Sequence, residues 1–189
     1  MLFRSLEYRT PDGRGGEISV LAVDVRHDLA VVQARGLEAP LLELETTVPA
    51  KGVRAYSIGF PLDVGLTITE GVSNGRVEDA FDPRIHYSGA INAGMSGGPA
   101  LNAAGRVIGI NVSGYRFEQL VSFLVPAVHA RALIERARSA PLARGQVRGE
   151  VLAQLQAHSS TLIGAMLGES AGGAARPLDR KSTRLNSSH

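Results

Sequence analysis

Apolar residues in this chain come in short runs broken by glycine, proline and polar turns. Residues 17–25 are rich in β-branched and apolar side chains. They follow Pro11-Asp12-Gly13-Arg14-Gly15-Gly16, which predicts a strand after a hairpin-like turn. Residues 28–33 carry the run Leu29-Ala30-Val31-Val32, a buried strand by its length. Residues 53–60 alternate and stop at Gly59-Phe60-Pro61, residues 66–69 alternate again, and Asn74-Gly75 predicts a turn. Further strands are expected at 85–91, 98–101, 107–112 and 120–125. A strand about every ten residues suits a sandwich or barrel rather than alternating strand–helix units.

The pattern changes at Pro126, a residue tolerated in the first turn of a helix. Val128, Ala132 and residues 134–137 then give an apolar stripe that predicts a helix through Arg138. A second helix is expected from Val147 to Leu167, with Val151, Leu152, Leu155, Leu162, Ile163 and Met166 at helical spacings. Residues 139–145, with Pro141 and Gly145, read as a linker, and residues 171–177 as a Gly/Ala/Pro-rich disordered stretch. Residues 179–189, Asp-Arg-Lys-Ser-Thr-Arg-Leu-Asn-Ser-Ser-His, match the in-frame translation of a common sequencing adapter codon for codon, and are set aside.

Composition narrows the class. The 189 residues suffice for one domain with a real core, and 44% hydrophobic against 20% charged excludes a disordered chain. No apolar run approaches the length of a membrane span, and the start lacks the pattern of a signal peptide. With no cysteine, disulfides and thiolate metal sites are excluded. The net charge of +2 comes from the set-aside tail; without Asp179, Arg180, Lys181 and Arg184 acids and bases balance, so no nucleic-acid partner is expected.

The chemistry concentrates in Gly94-Met95-Ser96-Gly97-Gly98-Pro99. A serine nucleophile needs a sharp turn that presents its hydroxyl and nearby backbone N–H groups aimed at the developing oxyanion. Gly94 and Ser96 can supply such a pair. Further segments keep this company: Asp28-Leu29-Ala30-Val31-Val32, Ser57-Ile58-Gly59-Phe60-Pro61, residues 65–72, Ala90-Ile91-Asn92-Ala93, and Gly105 to Asn111. Together they resemble the trypsin-like serine proteases of the bacterial HtrA/Deg branch, over about residues 11–138. The order acid then serine fits the chymotrypsin-type arrangement.

This resemblance implies a mainly β fold, a chymotrypsin-like double β-barrel with the first barrel incomplete, followed by C-terminal helices. Residues 1–138 would be the protease domain, truncated at its N-terminus, and 139–178 a helical tail. Ser96 would be the nucleophile, Asp28 the acid that orients an imidazole, and the Gly94 and Ser96 amides the oxyanion hole. Val112, Ser113 and Gly114 would pair with an extended polypeptide substrate. Ala90 and Ile91 would approach the pocket for the side chain before the scissile bond. They carry no acid, so a small aliphatic side chain is expected there. No cofactor is implied. The family is often exported to the periplasm or cell surface.

Three departures stand out. No histidine precedes Asp28 within residues 1–26, so the general base is expected upstream of Met1. Met95 stands where many relatives carry Asn or Asp, and no PDZ-like segment follows Arg138. Among the remaining histidines, His27 neighbours Asp28 in a strand direction, so the two are expected on opposite faces. His86, His129 and His158 read as exposed or structural, and no pair has metal-ligand spacing. The chain thus reads as a serine endopeptidase fragment. The alternative is a pseudoprotease module that holds peptides without cleaving them.

Overall fold

The computed structural model describes residues 6–61, 64–77, 82–114, 121–143 and 145–167. The turn at Pro11–Arg14 closes a hairpin between β1 (Leu6–Arg9) and β2 (Gly15–Asp24), and β3 (Leu29–Ala34) pairs with the other side of β2. These make a three-stranded antiparallel sheet, β1-β2-β3. Six strands follow: β4 (Val53–Gly59), β5 (Thr67–Arg76), β6 (Ile85–Tyr87), β7 (Pro99–Leu101), β8 (Val107–Gly114) and β9 (Ser122–Pro126). They close into a barrel in the order β4-β5-β6-β9-β8-β7. Closure pairs every strand on both sides, which an open sheet does not do.

Burial within the barrel follows the alternation of its strands. In β4, Ala55 and Ser57 point inward while Tyr56 and Ile58 are half-buried. Ala55, Ile85, Tyr87, Ala100, Ile108 and Leu124 form its core. Asn74-Gly75 does not end a strand, as expected from the sequence, but lies inside β5. The register against β6 slips between Ser73 and Arg76, Gly75 takes φ 79°, and its N–H is held by Ser73 Oγ at 3.2 Å. The pair is a β-bulge, the other common use of a left-handed glycine.

Pro126 caps α1 (Ala127–Ser139), and α2 (Val147–Leu167) has the bounds expected from its periodicity. α1 packs Leu133 and Ala137 onto Ala22, with Leu21, Leu29 and Val31 around them, and so forms a second core over the three-stranded sheet. β2 runs on past its last β1 partner at Ile18. There the C-terminal segment takes over the hydrogen bonding. Leu142 N–H donates to Leu21 O at 2.8 Å, the Arg136 guanidinium donates to Val23 O, and the Gln154 amide both donates to Val23 O at 2.9 Å and accepts from Val25 N–H at 2.8 Å. The backbone of 43–45 joins the barrel through two 2.8 Å bonds with Val107, and Arg131 of α1 donates to Leu44 O. One helix thereby touches sheet, connector and barrel.

Candidate active site

The Ser96 turn is built by close approach. β4 ends beneath it, and Gly94, with φ 96°, lies so near Phe60 that a Cβ would fall 2.3 Å from the Phe60 carbonyl oxygen. Only glycine meets both conditions. Met95 is fully buried under the turn, against Gly59, and its sulfur accepts Asn92 N–H. Asn111, 1% exposed, donates from Nδ2 to Ile58 O and Met95 O, each at 3.1 Å. This ties the end of β4 and the serine turn to β8. The sequence shows Asn111 as the one polar residue in an otherwise apolar run, a pattern that signals buried hydrogen bonding.

Ser96 itself is exposed, and its hydroxyl donates to Val112 O at 2.8 Å. Val112 sits where the β8–β9 register slips between Asn111 and Ser113, so its carbonyl is turned off the ladder. On the other side the pairing ends with Gly97 N–H to Asn111 O and Asn111 N–H to Gly98 O, both 2.8 Å. Beyond it, Ser113 and Gly114 pair with β9 alone among the described residues. Gly94 N–H and Ser96 N–H meet no acceptor among the described residues.

Asp28 is not a strand residue. It occupies the turn between β2 and β3 with φ 58°, its N–H 3.3 Å from Val25 O, and its side chain is exposed. The expectation that His27 and Asp28 lie on opposite strand faces therefore fails in its premise, because a left-handed residue breaks the alternation. His27 turns back onto Asp24: its N–H donates to Oδ1 at 3.1 Å and its Nδ1 lies 2.8 Å from Oδ2. Burial pushes the Asp24 carboxyl up, but the two hydrogen bonds from His27, with its charge and that of Arg136, hold it below its ordinary value. His27 also stacks on His129 of α1, ring centroids 3.9 Å apart and planes 15° from parallel. Burial, then the neighbouring His27, push His129 below its usual value.

Asp28 and Ser96 share one cavity of about 360 Å³ between sheet, barrel and α1, with Val31, Leu44, Ile110, Val112, Leu133 and Ile134 among its walls. Among the described residues no histidine lines it. Ala90 and Ile91 are not among its lining. Thr69 Oγ1 donates to Ala90 O at 2.9 Å, and Ile91 packs against the barrel core. His86 lies on β6, tilted against Phe123, with its Nε2 buried and unpartnered. No cluster of potential metal ligands occurs among the described residues.

Comparison with known proteins points one way. A family description, trypsin-like peptidase domain, matches residues 3–110. A probable periplasmic serine endoprotease DegP-like of Chlamydia pneumoniae is 33% identical over 134 residues, 66% of this chain and 28% of the relative. The putative serine protease HhoB of Synechocystis sp. is 34% identical over 133 residues, 66% of this chain and 32% of the relative. The chain thus spans about a third or less of these relatives' length. Among solved structures, an HtrA-type protease AlgW with a decapeptide superposes with TM-score 0.64 at 27% identity, over 69% of this chain and 43% of that one. The serine endoprotease from Yersinia pestis does so with TM-score 0.60 at 25%, over 68% and 47%.

Proposed function

Because the chain belongs to the trypsin-like peptidase family, which it matches over residues 3–110, we propose that residues 1–138 act as part of an HtrA/Deg-like serine endopeptidase, with residues 139–178 as its helical tail. The observation that carries this is that Asp28 and Ser96, 68 positions apart, line one cavity. A triad requires this arrangement, with an imidazole between acid and serine. Ser96 Oγ attacks the scissile carbonyl and loses its proton to that imidazole. Asp28 accepts the ring's other N–H and stabilises the imidazolium. The tetrahedral oxyanion is met by Gly94 and Ser96 N–H, the amine leaves with the proton, and water releases the acyl group. The acyl side of the substrate lies as an added strand on Val112, Ser113 and Gly114, of which Ser113 and Gly114 pair with β9 alone among the described residues. Ala90 and Ile91 bound the pocket before the scissile bond and favour a small aliphatic side chain.

No histidine lines the cavity among the described residues, which supports a general base encoded upstream of Met1 as this proposal requires. The test is to express the open frame extended upstream and to compare it with residues 1–189 on an unfolded polypeptide. The extended protein is expected to cleave it and to lose cleavage on Ser96→Ala, while residues 1–189 stay silent. An extended protein that binds peptide without cleaving it supports the second reading, a pseudoprotease. One observation favours that reading: no histidine among the described residues lines the cavity of Asp28 and Ser96. The curated relatives named periplasmic support export of the parent protein.

A further inference from the structure

We propose that Asp24, His27 and His129 are positioning residues, forming a proton-sensitive clasp that fastens the Asp28 turn to α1 so that the orientation of Asp28 follows the charge on the imidazole pair. This rests on the reading of Asp28 as the acid. The turn at residues 25–28 is weakly closed by its own backbone, because the Asp28 N–H lies 3.3 Å from Val25 O and Asp28 is in the left-handed region. What holds it is the residue before. His27 is gripped by Asp24 through both its N–H and its Nδ1, at 3.1 and 2.8 Å, and Nδ1 carries the proton because a carboxylate only accepts. The free face of that ring is covered by His129, in the first turn of α1, at 3.9 Å.

The charges around the pair decide its response. Asp24 compensates one positive charge and is itself shared with Arg136 of α1. Arg76 at the end of β5 and Arg84 before β6 add positive potential at His129. Arg26 of the same turn is bound to Asp82 at 3.1 Å. The Nε2 of His129 is buried without a partner among the described residues, so a second proton there finds no acceptor. A proton on His129 is thus opposed by its burial, by His27 and by Arg76 and Arg84, and favoured by Asp24. Above its titration the neutral His129 lies flat on His27. As pH falls and His129 charges, the stack opens and the Asp28 turn is released from α1.

The experiment is a titration of isotope-labelled residues 1–189 by NMR from about pH 8 to about pH 5. It follows the histidine Cε1–H resonances and the Asp28 amide, in the wild type, His27→Gln, His129→Gln and His129→Phe. In the wild type the Asp28 amide is expected to move with the His129 titration. In His27→Gln, His129 should titrate closer to its ordinary value. His129→Phe keeps a stacked ring without the charge, so the Asp28 amide should hold its high-pH position throughout. An Asp28 amide that ignores the His129 titration overturns the proposal, as does one that moves identically in His129→Phe. If His129→Gln loses its dispersed spectrum, the wild type and His129→Phe carry the comparison. None of these readings depends on catalysis, so failure of the protease reading shows separately, as an upstream-extended protein without cleavage.

Discussion

Asn111 holds the serine turn by donating from one amide nitrogen to two carbonyls, Ile58 O and Met95 O. Neither carbonyl belongs to a residue whose own side chain could replace the donor. Asn111→Leu keeps the volume but takes the side-chain donor from Ile58 O, while Met95 O retains Gly98 N–H at 3.1 Å, and is expected to cost roughly 1–3 kcal/mol in urea unfolding. A loss below about 0.5 kcal/mol would show that the turn is held by its backbone alone. Titration acts at the same scale. His129 is depressed from 6.5 by burial and by His27, so below that value the unfolded chain binds more protons than the folded one. Its contribution is complete above pH 6.5 and falls away as pH drops through the folded value. Asp24 is lowered from 3.8, so its contribution is present above that pH and is lost below it. Urea midpoints against pH should therefore decline in two steps, and His129→Phe should remove the upper one. A single step in the wild type would contradict the burial of His129.

At the scale of elements, the C-terminal helices complete a sheet that the strands leave open. Gln154 brackets the β2 edge at Val23 and Val25 as a neighbouring strand would. Gln154→Leu preserves helix propensity while removing that bracket. It is expected to cost about 1–3 kcal/mol and to speed hydrogen exchange at the Val25 amide; unchanged exchange there would mean that α2 does not seal the edge. This bracket was invisible in the sequence, because a glutamine on a helix reads as a solvated residue and its partner lies 129 positions away. Elements with strong local signals were legible. The alternation of residues 53–60, the apolar run at 107–112 and the helical spacing of α2 each match a strand or helix in the structure, the first ending one residue earlier at Gly59. β1 was not, since Leu6-Glu7-Tyr8-Arg9 has only Tyr8 half-buried and shows little apolar signal. Asn74-Gly75 misled for a physical reason: a bulge and a turn demand the same left-handed backbone. The serine turn was legible as chemistry through its glycines, whereas Asn111 and the His27–His129 stack depend on contacts between distant elements.

At the scale of the molecule, a closed barrel and a helix-backed sheet meet along one cavity, which no histidine lines among the described residues. Ser96, with its hydroxyl on Val112 O, and Asp28 both line it, yet no imidazole among the described residues does. A triad enzyme without its base retains only roughly 10³–10⁴-fold over water, from binding and the oxyanion hole. The cavity volume of about 360 Å³ leaves room for a free imidazole beside Asp28. The most direct measurement is therefore chemical rescue. Residues 1–189 are incubated with a serine-directed phosphonate at rising imidazole concentration, and the adduct is located by mass spectrometry. No adduct is expected without imidazole, a saturable rise at Ser96 with it, and none in Ser96→Ala. Labelling of Ser96 at full rate without imidazole would place a working base inside this chain, and no labelling at any imidazole concentration would deny that Asp28 and Ser96 form one site.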